Sequence, residues 1–244
     1  MDERPDIETS SSDYACRFAG AAGRYLLDVQ AQCLAQAIKG IPPGTVLDVG
    51  GCHGQLVGPL AAAGWRVTVH GTDPQCEANL RGLHRRAHCE VLLGPLDKLP
   101  ARDRSFDLVV AVRLLPHVTN WQGLLREMCR VARGSIVVDY PSKSGVNALT
   151  PLLFGVKKSI EGNTRPYTSF ARKELEPELA RSGFQPKAEV RQFLMPMVVH
   201  RMGGGAAPLR LAERLFRSTG LTSLAGSPVL LRADRQAAST GPTS

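Results

Sequence analysis

Two acids bracketing a cluster of glycines are the residues of this 244-residue chain whose types and spacing could do chemistry. The first group is Thr45-Val46-Leu47-Asp48-Val49-Gly50-Gly51-Cys52-His53-Gly54, a β-branched run that carries an acid and then enters a glycine-rich turn. Glycine admits φ > 0 and lets the main chain approach a ligand where a Cβ would clash. Glycine-rich turns also serve dinucleotide sites, but Asp48 at the strand's end would repel a pyrophosphate and complement a cation. Further on, His70-Gly71-Thr72-Asp73 closes a second β-branched run with an acid placed to accept ribose hydroxyls. Leu99-Pro100, Ser105-Phe106-Asp107-Leu108-Val109 and Leu114-Leu115-Pro116-His117-Val118 complete an ordered string. His117, just past the fourth strand, is the candidate general base, since imidazole titrates near neutrality; packing or capping at that place is the structural alternative. Tyr140 and Asp139 end the fifth strand and either pack in the core, the favoured reading, or face the substrate. Asp107, before a buried strand, is expected to be structural, and His200 to lie on the surface.

These residues need a scaffold that gathers strand ends along one edge. Strands are expected at Thr45–Val49, Arg66–His70, Cys89–Leu93, Phe106–Ala111 and Ser135–Tyr140, with helices at Gln55–Ala63, Pro74–Arg85 and Gly123–Val131 between them. This alternation implies right-handed crossovers and a parallel sheet covered on both faces. The uninterrupted apolar run Leu108-Val109-Val110-Ala111-Val112 suits a strand buried on both sides. Residues 14–39 read as a helix with Leu26, Leu27, Val29, Cys33, Leu34, Ala37 and Ile38 on its apolar face. The last third is expected to hold a helix at Lys173–Ser182, a strand near Ala188–Leu194, a helix around Leu209–Ser218 and a strand near Pro228–Arg232.

On these motifs the chain resembles the class I S-adenosylmethionine-dependent methyltransferases, particularly the small-molecule group that includes the ubiquinone and menaquinone methyltransferases. The resemblance covers residues 44–140 and continues through Glu174-Leu175 and Ser182-Gly183-Phe184. It implies an α/β, Rossmann-like, seven-stranded, mostly parallel sheet with an antiparallel last strand, helices on both faces, an N-terminal helix and substrate-side insertions. The implied organisation is a disordered tail at 1–13, one domain at 14–234 with insertions at 141–168 and 195–226, and a frayed tail at 235–244. The implied cofactor is S-adenosyl-L-methionine, which carries an ammonium and a sulfonium but no phosphate, in keeping with Asp48. Asp48, Gly50 and Gly54 match the family's methionine-holding turn, with Gly51 inside it; Asp73, with Pro74 beside it, matches the ribose-binding acid. Leu96 and Asp97 fall where the family lines the adenine pocket, and Arg113 follows the strand that faces the sulfonium. Two positions depart from the pattern. Cys52 stands where the turn usually has a second glycine, and Gly94-Pro95-Leu96 stands where the family commonly has Gly-Asp-Ala.

Composition bounds the alternatives. The chain is 43% hydrophobic and 21% charged, with a formal net charge of +8. Its Lys and Arg are spread along the sequence, as on a solvated surface. Six cysteines show no metal-ligand spacing, so no metal is expected, and free thiols in a reducing, cytoplasmic setting are the simplest reading. No run approaches the roughly 20 apolar residues of a membrane span. A nucleic-acid methyltransferase is disfavoured, because the fourth strand lacks an Asn/Asp-Pro-Pro-Tyr/Phe element and no Pro-Cys dipeptide exists. A methyltransferase-like scaffold without turnover stays open on the strength of Cys52 and Pro95; a dehydrogenase is disfavoured by Asp48. The expected acceptor is a small molecule, selected by Pro141–Thr168, with Lys157 and Lys158, and by the apolar stretch Phe193–Val199, which together form either a lid over an amphipathic or anionic acceptor or further core. Oligomeric state is left open.

Overall fold

The computed structural model describes residues 18, 20–87, 89–144, 167–202 and 207–237. Its centre is a seven-stranded sheet in the order β3-β2-β1-β4-β5-β7-β6. The strands are β1 (Thr45–Val49), β2 (Arg66–Gly71), β3 (Glu90–Leu93), β4 (Phe106–Ala111), β5 (Ala132–Tyr140), β6 (Phe184–Phe193) and β7 (Ser227–Arg235). β1 to β5 pair in parallel, and β7 runs antiparallel to both β5 and β6. β6 therefore points the same way as β1, and the carboxyl ends of six strands share one edge. Order reverses between β1 and β4, the switch point outside which ligands of open α/β sheets bind.

The parallel strands are buried on both faces, so successive side chains feed two separate cores. Val46, Leu108, Val110 and Val137 meet α1 (Gly20–Ala37), α2 (Val57–Ala62) and α3 (Gln75–Ala87) through Leu26, Cys33, Leu60 and Leu80. Leu47, Val49, Val109 and Ile136 meet α4 (Trp121–Val131) and α5 (Arg172–Arg181) through Leu125, Met128, Leu175 and Leu179. Tyr140 is only 1% exposed and packs edge-on to Phe170, which makes it a core residue; burial pushes its phenol pKa well up. Asp107 is also structural. Its Oδ2 accepts from the Thr45 backbone N and Oγ1, and its Oδ1 accepts from Arg133, which ties the start of β4 to the start of β1.

Between β6 and β7 the chain inserts three short helices, α6 (Met197–Met202), α7 (Ala207–Ser218) and α8 (Leu221–Ala225). Only α7 is anticipated by the periodicity. The insertion leaves after Phe193 and returns at Ser227, which are paired residues, so it stands on the edge where the parallel strands end. It is pinned there by Glu213, 1% exposed, whose carboxylate accepts from Leu194 N, Met195 N and His200 Nε2. His200, expected on the surface, is fully buried. The reason is local: Glu213 turns inward from α7 and supplies the partner that a buried imidazole needs. Burial alone would raise the Glu213 pKa, but the bonds from His200 and the two backbone amides outweigh it and hold the carboxyl below its ordinary value.

Candidate functional site

β1 delivers Asp48 to the sheet edge, and the turn after it folds back at once. Gly50 adopts φ 74°, where a β-carbon is strained, and its N donates to His70 O at the end of β2. The main chain at Gly51 runs so close to the Asp48 carboxylate that a Cβ there would sit 2.0 Å from Oδ2. Gly51→Ala is therefore expected to displace the carboxylate or the turn and to reduce cofactor affinity by about tenfold or more while the fold survives. Calorimetric titration beside far-ultraviolet circular dichroism would check this.

Above the turn opens a cleft lined by Gln30, Asp48, Gly50, Gly51, His53, Gln55, Leu56, Val112 and Arg113; counting its solvent-open part, it holds about 370 Å³. Asp48 is 2% exposed, and its Oδ2 has no hydrogen-bond partner in the protein. Burial pushes its carboxyl up to about 7. Gln30, also 2% exposed, lines the same cleft with its Oε1 unsatisfied. Two buried acceptors facing one space without donors call for a multi-donor cation, since orphaned buried polar groups are costly. An alkylammonium has three N–H donors and a charge that would hold Asp48 ionised. The residues present therefore fit the ammonium end of S-adenosylmethionine.

Arg113 closes one side. It takes a left-handed φ of 61°, unusual for a side-chain-bearing residue, and its backbone N donates to Asp139 Oδ1. Its guanidinium bonds Gln55 Oε1 at 3.0 Å and lies 3.9 Å over the Phe18 ring. Asp139, 2% exposed, is held at about 6: burial raises it, while the Arg113 backbone bond, the Arg113 charge and Gln192 pull it back. Asp139 thus serves as the anchor of the turn after β4.

The other expected residues lie outside the lining of this cleft. Asp73 is half-buried, and its Oδ1 accepts from Gln75 N, which caps the start of α3. Leu96 is buried in the core beside Leu99, while Asp97 is exposed. Gly94 N bonds Gly71 O, so the turn carrying Gly94-Pro95-Leu96 leaves β3 next to the end of β2. His117 ends a 3-10 turn (Leu115–His117), half-buried, with its ring 5.6 Å from that of Tyr167.

Cys52 corrects the reading of free thiols. It is joined by a disulfide to Cys76 in α3, beneath Gly71, whose missing side chain leaves the room both sulfurs occupy. A partner 24 residues away leaves no short-range sequence signal. Cys33, Cys89 and Cys129 are buried and free. Among the described residues no group of His, Cys, Asp or Glu could hold a metal ion. Gln30 and Gln55 were not anticipated. A signal for Gln30 exists: it is a polar residue flanked by the apolar face of α1, between Val29 and Cys33.

Residues 47–137 match a family model described as a methyltransferase domain. A 96-residue stretch is 36% identical to the ubiquinone biosynthesis O-methyltransferase of Methylobacterium sp. (strain 4-46), and the match spans 36% of this chain and 36% of that enzyme. The fold is similar to that of magnesium protoporphyrin IX methyltransferase from Synechocystis PCC 6803 with bound SAH, at TM-score 0.58 and 14% identity over 87% of this chain and 84% of that one. It is likewise similar to a possible histamine N-methyltransferase from Thermotoga maritima, at TM-score 0.60 and 17% identity over 87% and 92% of the two chains.

Proposed function

We propose that this chain is a class I S-adenosylmethionine-dependent methyltransferase that moves a methyl group from S-adenosylmethionine to a small-molecule acceptor. The observation that carries the reading is the buried, unpartnered Asp48 carboxylate facing the glycine turn. When bound, the cofactor supplies an electrophilic methyl group on a sulfonium. Asp48 and Gln30 hold its ammonium, Gly50 and Gly51 admit its methionine portion against bare main chain, and Gly54 keeps the turn short. Cys52 carries its sulfur away from the cleft into the pairing with Cys76, so a cysteine at that place is compatible with cofactor entry. Asp73 receives the ribose hydroxyls, and Pro74, Leu96 and Asp97 border the adenosine. Arg113, fixed by Asp139, closes the cleft toward the sulfonium.

Methyl displacement from a sulfonium needs no acid, so positioning carries most of the rate, worth roughly 7–11 kcal/mol when reactants are well oriented. His117 takes the proton of an O–H or N–H acceptor. Support comes from its place after β4 on the cofactor edge and from the neighbouring Tyr167 ring, 47% exposed and able to stack on an incoming acceptor. His117→Ala is expected to lower kcat about 10²-fold or more with cofactor affinity unchanged. The check is S-adenosylhomocysteine release across a panel of phenolic, catecholic and amine acceptors, beside calorimetric titration of the cofactor. An unchanged kcat would remove His117 from the chemistry and leave the cofactor site standing. Of the segment Pro141–Thr168 expected to select the acceptor, residues 145–166, with Lys157 and Lys158, lie outside the described residues.

A further inference from the structure

Six large hydrophobic side chains are exposed among the described residues, and four of them fall within a single stretch: Leu211 (58%), Leu215 (56%), Leu221 (45%) and Leu224 (76%). The other two, Leu93 and Tyr167, lie elsewhere in the chain. Leu211 and Leu215 are one helical turn apart and share the outer face of α7, a 12-residue helix about 18 Å long. Leu221 and Leu224 add two more exposed apolar side chains on α8, which packs against α7. Isolated exposed leucines are ordinary, but a contiguous set rimmed by polar groups marks an interaction surface.

Charge identifies the partner. The hairpin's outward cation is Arg214, with Arg210 beside it above the Tyr25 ring; Arg217 is also exposed, but its guanidinium donates inward to Gln192 O and Cys33 Sγ. The hairpin's one acid, Glu213, is turned inward and consumed by His200 and two backbone amides. An apolar stripe with only cations at its margin is the pattern of a helix that lies in the plane of an anionic bilayer, leucines in the acyl region and guanidinium groups among the phosphates. Among the described residues no helix is long and apolar enough to cross a membrane, so the attachment is interfacial. The net charge of +8 favours the same surface at longer range.

We propose that the α7–α8 hairpin docks this protein on an anionic lipid surface. The insertion departs from Phe193 and returns at Ser227 on the edge that carries the cofactor cleft. Docking therefore holds that edge close to the bilayer, where an amphipathic acceptor concentrates. The docking goes beyond the methyl-transfer reading and does not rest on it.

The test is co-sedimentation of the full chain with phosphatidylcholine vesicles, with and without phosphatidylglycerol. Binding is expected to the anionic vesicles, to weaken as salt rises, and to be far weaker on phosphatidylcholine alone. Leu211→Ser and Leu215→Ser should each lower the partition coefficient about tenfold or more, and Arg214→Gln about fivefold. These side chains face solvent, so circular dichroism and cofactor titration of the variants should match the parent, which separates failure of docking from failure of the active site. No binding to anionic vesicles, or binding that the substitutions leave undiminished, overturns the proposal. So does a dimer in analytical ultracentrifugation that the leucine substitutions dissolve, since that would assign the face to a second copy.

Discussion

Asp48→Asn is expected to cost cofactor affinity about thirtyfold or more at pH 8 and to erase its pH dependence. Asparagine keeps the shape of the side chain and removes the charge, so the turn after β1 should hold. What is lost is a buried pairing of carboxylate with ammonium, a kind of contact whose disruption costs about 2–5 kcal/mol. The pH dependence follows from burial, which puts the Asp48 carboxyl at about 7 in the empty cleft. Below that value the cofactor must drive off a proton, so wild-type affinity should rise as pH climbs toward 7 and level off above it. In the empty protein the sign reverses. A carboxyl raised above its unfolded value of about 3.9 stabilises the fold below that value, and this contribution is lost as pH rises through about 7. Asp139, raised to about 6 by burial, adds to the same loss. Cofactor-free wild type should accordingly fall in Tm between about pH 4 and 7, and Asp48→Asn should flatten that fall. Titration calorimetry at several pH values, with thermal unfolding over the same range, reads both.

Glu213→Ala is expected to be the most damaging single change outside the cleft. Its two carboxylate oxygens serve Leu194 N, Met195 N and His200 Nε2 in a site 1% exposed. Alanine leaves two amides and an imidazole unsatisfied. A buried donor left without a partner costs about 1–3 kcal/mol, so losing the acceptor of all three comes to about 3–5 kcal/mol or more. For a chain of this size that is a drop of about 6–20 °C in Tm, measurable by differential scanning calorimetry at neutral pH. Glu213 is held below its ordinary pKa by His200 and the backbone bonds, against the cost of burial. Its stabilisation is therefore present above about pH 4.3 and lost as pH falls through the lower folded value. Glu213→Gln, which keeps one acceptor oxygen, should lose less. A change under about 2 °C for the alanine variant would contradict the account.

The parts of the fold that could be read in advance were those written in short-range patterns. β1 and β4 coincide to the residue with the expected strands Thr45–Val49 and Phe106–Ala111, because a β-branched run entering glycines and an uninterrupted apolar run leave few alternatives. β5 begins earlier than expected, at Ala132, since Arg133 and Gly134 look like a loop but continue the pairing with β4 across a register shift. α6 and α8 have no counterpart among the expected elements, because helices of six and five residues carry too little periodicity. The seven-strand count and the antiparallel β7 follow from the family resemblance, which no local pattern could have supplied, while the order β3-β2-β1-β4-β5-β7-β6 is seen only in the structure.

In the candidate site the division is similar. Asp48 and the glycines were legible because acid and turn are contiguous in sequence. Gln30 comes from a helix that precedes them, and Gln55, though adjacent to the turn, reads only as the first residue of the helix expected at Gln55–Ala63. The Cys52–Cys76 disulfide and the His200–Glu213 pair depend on side chains 24 and 13 residues apart meeting in space, which sequence spacing does not reveal.

The most direct test of the central claim is a crystal structure of the protein with S-adenosylhomocysteine, whose amino group is that of the cofactor. The expected result places that ammonium on the Asp48 carboxylate at about 2.7–2.9 Å, with Gln30 Oε1 as a second acceptor and the methionine portion against Gly50 and Gly51. A nucleoside bound elsewhere, or one bound at this edge with Asp48 still unpartnered, would contradict it.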